Sequence, residues 1–348
     1  MMGKASELAE SPLAGQAAIE SLQKLWSKIY QELAKEDVSG EEVLRIAATL
    51  YYGPGHGKPR PAEESLDLLN KEAKNSQIPL QISQRLLAVA EKLTELYSKP
   101  QLNAVTDVLQ SRLLAVALLL AKGVTDAERT KLLDQWERTT FRTFVLFGKD
   151  SRAKVGDYVK LAFKIVKEDI ETRTYNQIMA GLRSLGEEFG IDRALEEGLK
   201  NKDFYEMSPE GCRYLLWNYE ESLARSTGRH ATVDENVRAA IWNARASDSI
   251  EHIFPQSPSS AWKGKWGGPR RGRPVTPNPG RIGNLILLPG GLNSSAKAES
   301  FKHKKTLYIQ HHLRMVDEIT SEQDWTLNKI EAREARLIEW AKSRWADI

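Results

Sequence analysis

A single cysteine, Cys212, in 348 residues leaves no partner for an intramolecular disulfide and no ligand set for a cysteine-rich zinc site. That usage suits a reducing compartment, so a cytoplasmic location is expected. Cys212 lies in the apolar run 211–217, where a buried structural thiol is expected rather than a nucleophile. Long apolar stretches are also missing. The longest, 113–121, is nine residues between Arg112 and Lys122, against the roughly 20 needed to span a bilayer. Residues 1–15 have no signal-peptide core, and no membrane partner is expected. No period repeats at about 30 to 45 residues, which argues against a helical solenoid. A phosphate-binding loop is lacking as well. Gly53-Pro54-Gly55-His56-Gly57-Lys58-Pro59 is one residue short between its outer glycines and carries Pro59 where a metal-binding hydroxyl belongs. It reads as a surface loop.

What is present is an ordinary globular composition, 41% apolar and 28% charged, in a chain long enough for two domains. Apolar residues at Ala18, Ile19, Leu22, Leu25, Trp26, Ile29, Tyr30 and Leu33 follow the spacing of an amphipathic helix over 16–36. The same pattern recurs at 41–52, 62–75, 81–97, 104–122, 126–147, 155–168, 175–189 and 208–226, with breakers such as Lys99-Pro100 and Gly228 between. Near residue 248 the character changes. Residues 249–255 read as a short strand ending at a proline. Residues 257–280 form a long Pro/Gly/basic loop holding Trp262 and Trp266, of the kind that is usually functional or mobile. Residues 284–288 read as a second strand, and helix is predicted again near Asn293, over 306–320 and over 323–345. The expected organisation is mainly α: a multi-helix domain over 1–245, then a strand–loop–strand–helix unit packed among helices over 246–348.

Charge is distributed unevenly. The net charge of +3 hides ten Lys/Arg against two acids between residues 249 and 305, a local +8, with −5 on the remainder. A basic block of this kind suggests a polyanion as partner. Lys263, Lys265, Arg270, Arg271, Arg273, Arg281, Lys297 and Lys304 are its candidate nucleic-acid contacts.

The same segment holds a candidate chemical set. Glu251-His252 on one strand, Asn284 at the second and Asn293 beyond it could meet around one cavity. Glu251-His252 alone is weak, because a histidine on an apolar strand is more often a core residue than a catalyst. As a set, each residue has a distinct role. A neutral imidazole suits a general base near neutral pH, provided a neighbour fixes its orientation, and Asn284 is placed for that. Carboxylate and amide oxygens of Glu251 and Asn293 suit a hard cation, Mg2+ or Mn2+. Lys297, Lys304 and Arg281 could hold phosphates.

The segments 251–256, 282–288, 292–295 and 301–304 together resemble the HNH, or ββα-metal, nuclease motif. They are similar to the C-terminal nuclease domain of the GmrSD-like family of modification-dependent restriction and phage-defence proteins. The resemblance implies a metal-dependent DNA endonuclease or nickase, with His252 as general base, Asn284 positioning it, Asn293 as metal ligand and Glu251 at an acidic position that commonly binds metal. Asparagine stands where the third letter of the motif is often histidine. His303 is expected to be a phosphate contact or a bystander. Residues 136–142 and 214–217 look more loosely like the helical region of such proteins. Family members begin with a ParB-like sensor domain marked by Asp-Gly-Gln-Gln-Arg, which this sequence lacks, so the expectation is a C-terminal fragment whose full-length protein carries an N-terminal sensor domain, with a natural short relative as the alternative. One site per chain nicks, and a homodimer could cut both strands. The competing expectations are a DNA-binding module with an inactive site, in which Trp262 and Trp266 stack on bases, and a helical interaction scaffold.

Overall fold

The computed structural model describes residues 12–36, 38–74, 78–167, 174–200, 204–226, 233–266, 278–290, 298–311 and 313–348. The described chain is mainly helical with one two-stranded sheet. It divides into two compact units, one of residues 1–140, 149–188 and 347–348, the other of 141–148 and 189–346.

The first unit contains α1 (Pro12–Leu33), α2 (Gly40–Tyr52), α3 (Ala62–Glu72), α4 (Ile78–Tyr97), α5 (Leu109–Leu120), α6 (Asp126–Thr140), α7 (Val155–Val166) and α8 (Tyr175–Gly186). Its centre is α5, in which every residue from Leu113 to Leu118 is fully buried. A helix apolar on all sides must be wrapped by others, and α4, α6 and α7 pack against it. The longest apolar run of the sequence is thus a core helix. No single helix among the described residues is long and apolar enough to cross a membrane. Helix α8 starts where a capping box directs it: the Thr174 hydroxyl accepts from the Gln177 amide, and Gln177 accepts in return from the Thr174 amide at 3.1 Å. The glycine-rich loop closes as a two-residue turn between Gly55 and Lys58, with His56 and Gly57 both at positive φ. That is hairpin-turn geometry.

The second unit is built on α9 (Pro209–Ser226), with α10 (Glu235–Trp242), α11 (Phe301–Tyr308), α12 (Arg314–Thr320) and α13 (Leu327–Trp345). Cys212, Leu215, Leu216 and Trp217 of α9 are buried, so the thiol is a core residue. Phe141 stacks on Trp345 of α13 with ring centres 4.3 Å apart and meets Tyr214 of α9. Strand β1 (Ile250–His252) pairs antiparallel with β2 (Leu285–Leu287), Glu251 opposite Ile286 and His252 opposite Leu285. All six residues are buried, and β2 packs on α9. The unit holding the sheet therefore takes in residues well before 246, because α9 supplies one wall of the strand pair.

Three local differences from the pattern reading have physical causes. The strands are shorter than 249–255 and 284–288, because Asn284 ends a 3-10 turn, Ile282–Asn284, and uses its side chain to hold Phe254 out of the ladder. The helix predicted over 306–320 is two helices. The buried Glu220 carboxylate accepts the amides of Arg314 and Met315 at 2.5 and 2.8 Å, which fixes a helix start at that point. The final helix begins at Leu327 rather than 323, since Trp325 is drawn aside to bond Asn284.

Candidate nuclease site

His252 ends β1 and lies at a cleft of about 390 Å³ lined by Tyr205, Ser247, Gln256, Ser257 and Ala298, among others. The side chain is 8% exposed. Its Nε2 is covered and has no hydrogen-bond partner among the described residues. The ring packs edge-to-face on Tyr205, with centres 4.5 Å apart and planes at 88°. Burial, helped by the nearby Lys304 charge, lowers the imidazole pKa to about 4. The ring is therefore neutral at pH 7.

Glu251, one residue earlier on the strand, is 2% exposed. Its Oε1 accepts from Lys304 Nζ at 2.6 Å and from Tyr308 Oη at 2.8 Å. Lys304 and Tyr308 lie four apart on α11, one turn of the same face, and both are buried. The Lys304 ammonium also donates to the His252 carbonyl at 2.7 Å, so α11 grips β1 at two successive residues. Burial raises the Glu251 carboxyl pKa and lowers that of Lys304, and the close contact opposes both shifts. The pair acts as one titrating unit. Burial and the Glu251 charge hold Tyr308 well above the usual phenol range, so it remains a donor.

Asn284 is completely buried and all its hydrogen-bonding capacity is used. Oδ1 accepts from the Phe254 amide at 2.8 Å and Trp325 Nε1 at 3.0 Å. Nδ2 donates to the carbonyls of Phe254 and Pro279, each at 2.8 Å. Asn284 thus holds the backbone two residues beyond His252 and makes no bond to the imidazole. Its own turn is clamped on α13. Arg333 Nη1 donates to the carbonyls of Gly283 and Leu285 at 3.0 and 2.7 Å. Gly283 lies so close to α13 that a Cβ there would run into the Ile330 carbonyl and stand 2.8 Å from the Glu334 amide nitrogen. The Ile-Gly-Asn run is the sequence trace of this contact.

The basic candidates have different surroundings. Lys263 is exposed. Lys265 reaches Asp324 at 2.5 Å. Arg281 is not free to meet phosphate as expected, because Glu331 and Glu334 of α13 take its guanidinium. Lys304 is likewise corrected: its ammonium is wholly interior and spent on Glu251 and His252. His303 is exposed on α11. Arg270, Arg271, Arg273, Asn293 and Lys297 lie outside the described residues. Trp262 and Trp266 are not stacking platforms, being 3% and 6% exposed and packed on Phe254.

Among the described residues, which do not include the expected ligand Asn293, a divalent ion finds no complete donor set. Glu251 is committed to Lys304 and Tyr308, and no group of three His, Cys, Asp or Glu side chains able to hold a metal occurs among the described residues. A buried ammonium already compensates the carboxylate that the motif assigns to metal, so the described residues do not fit the ion as they stand.

Sequence reading missed Tyr205, Tyr308, Trp325 and Arg333. Tyr308 carried a signal, its i+4 spacing from Lys304. The other three are remote in sequence and carried none.

One comparison bears directly on this unit. Residues 190–340 match the family model of the C-terminal domain of GmrSD restriction endonucleases. The match starts within a residue of where the main segment of the second compact unit starts, at Phe189. It supports a GmrSD-like restriction-endonuclease C-terminal part, a nuclease class whose implied substrate is DNA. No curated protein matches the chain.

Proposed function

We propose that the C-terminal unit is an HNH-type DNA endonuclease or nickase of a restriction or anti-phage defence system, with His252 as its general base. The observation that carries this reading is a neutral, buried imidazole on a residue that lines a cleft, its covered Nε2 without a hydrogen-bond partner among the described residues, inside the segment that matches the GmrSD C-terminal domain. In hydrolysis, a water oxygen attacks phosphorus as its proton passes to His252, and the P–O bond to the sugar oxygen breaks, that oxygen leaving as an alcohol with a proton taken from solvent water. The antiparallel strands followed by α11 support the ββα assignment. Dependence on Mg2+ or Mn2+ belongs to this reading through the resemblance to the motif. The same reading carries an N-terminal sensor domain in the full-length protein, a cytoplasmic location and, for double-strand cutting, a second copy of the chain.

The engaged state of Glu251 favours a second reading, a DNA-binding module that does not cut. Supercoiled plasmid incubated with Mn2+ separates the two. Nicked or linear product that disappears with EDTA supports the endonuclease, and salt-sensitive binding without product supports the module.

A further inference from the structure

Because Asn284 has no hydrogen-bonding capacity left for the imidazole, some other group must fix the His252 ring. Among the described residues the contact with ring geometry is Tyr205, edge-to-face at 4.5 Å. Aromatic pairs favour edge-to-face or offset-stacked geometry over a face-to-face sandwich, and a base must be oriented to take a proton from a defined position.

Tyr205 is itself rigidly placed. It is 9% exposed, in the short helix Phe204–Met207, which packs on α9. That approach depends on Gly211 in the first turn of α9: a Cβ there would stand 3.4 Å from Phe204 Cζ and 2.6 Å from Ser208 Oγ, and would overlap Val145. Gly211 thus lets this short helix seat its tyrosine ring beside His252, at the wall of the same cleft. Tyr205 lies about fifty residues before the strand pair and outside every motif singled out in the sequence.

We propose that Tyr205 is a positioning residue for His252, its ring holding the imidazole in the orientation needed for proton transfer. The inference rests on the assignment of His252 as base. The ring is the working part, so Tyr205→Phe keeps the function and Tyr205→Leu loses it. The loss falls on kcat, about two- to tenfold from the worth of one aromatic pair, with KM held.

The test compares the wild type, Tyr205→Phe, Tyr205→Leu and Tyr205→Met, the last keeping a long side chain should leucine disturb folding. Single-turnover plasmid cleavage and DNA affinity are measured together with the imidazole NMR signals of the six histidines, that of His252 being identified by its loss in His252→Ala. The expected result is a changed His252 side-chain rotamer, read from the NOEs and couplings of that signal, and lower kcat in the leucine and methionine variants, with wild-type rotamer and kcat retained in phenylalanine. A wild-type His252 rotamer in Tyr205→Leu overturns the inference, as does a loss confined to KM, which would make Tyr205 a substrate contact. Undiminished cleavage by His252→Ala would instead remove the base assignment, and the NMR signal would still report whether Tyr205 orients the ring.

Discussion

Lys304 reaches Glu251 at 2.6 Å in the interior of the C-terminal unit, and the same ammonium holds the carbonyl of His252. Removing one partner leaves the other charge buried and unpaired, which costs about 3 to 5 kcal/mol. Lys304→Met is therefore expected to destabilise the unit by that amount in urea unfolding followed by tryptophan fluorescence. The double variant Glu251→Leu/Lys304→Met should recover most of the loss, since no charge then remains buried. Additive losses would show that the two side chains are not coupled.

Asn284 is expected to be a stability residue with an indirect effect on cleavage. Asn284→Ala strips partners from the Phe254 amide and carbonyl and from Trp325 Nε1. Each buried orphan costs about 1 to 3 kcal/mol. Calorimetry should show a large fall in Tm for Asn284→Ala and a small one for His252→Ala, since the imidazole has no hydrogen bond to lose among the described residues. Equal Tm values for Asn284→Ala and wild type would contradict this role.

Gly283→Ala drives a methyl group into backbone atoms of α13, which cannot move aside as a flexible side chain would. An overpacking cost of about 1 to 3 kcal/mol is expected, read as a lower urea midpoint. An unchanged midpoint would mean that the turn does not sit against α13 as closely as described.

How much of this was legible in the sequence varies by residue. Helical periodicity marked α1, α4 and α5 because each presents or buries apolar positions at a regular spacing. Glu251, His252 and Asn284 stood out because polar residues inside apolar strands call for a reason. Their partners did not stand out, since Tyr205, Trp325 and Arg333 reach the strand pair only through packing of segments distant in sequence. Lys304 and Arg281 look like surface cations in the sequence, which shows a charge but not the carboxylate that folding places against it.

The pH response of stability should carry the signature of His252. Its pKa is about 4 in the folded protein, below the ordinary value of about 6.5. As pH falls from 6.5 towards 4 the unfolded chain takes up the proton first, and stability is lost at about 1.4 kcal/mol per pH unit. Lowering pH from 7 to 5 should cost the wild type about 2 kcal/mol more than His252→Gln. Parallel profiles for the two proteins would place the imidazole in a solvated setting instead.

Lys263, exposed in the segment that follows β1, is expected to contribute phosphate attraction. Lys263→Ala should weaken DNA binding similarly for all sequences and reduce the log–log salt slope by about one. An unaltered slope would remove it from the interface.

The central claim is that His252 takes the proton from the attacking water. Supercoiled plasmid with Mn2+, wild type against His252→Ala, tests it most directly, with nicked and linear products counted separately and DNA affinity measured in parallel. The account predicts a loss of about 10² to 10⁴ in the single-turnover rate at nearly unchanged affinity. Cleavage by His252→Ala at the wild-type rate would contradict it.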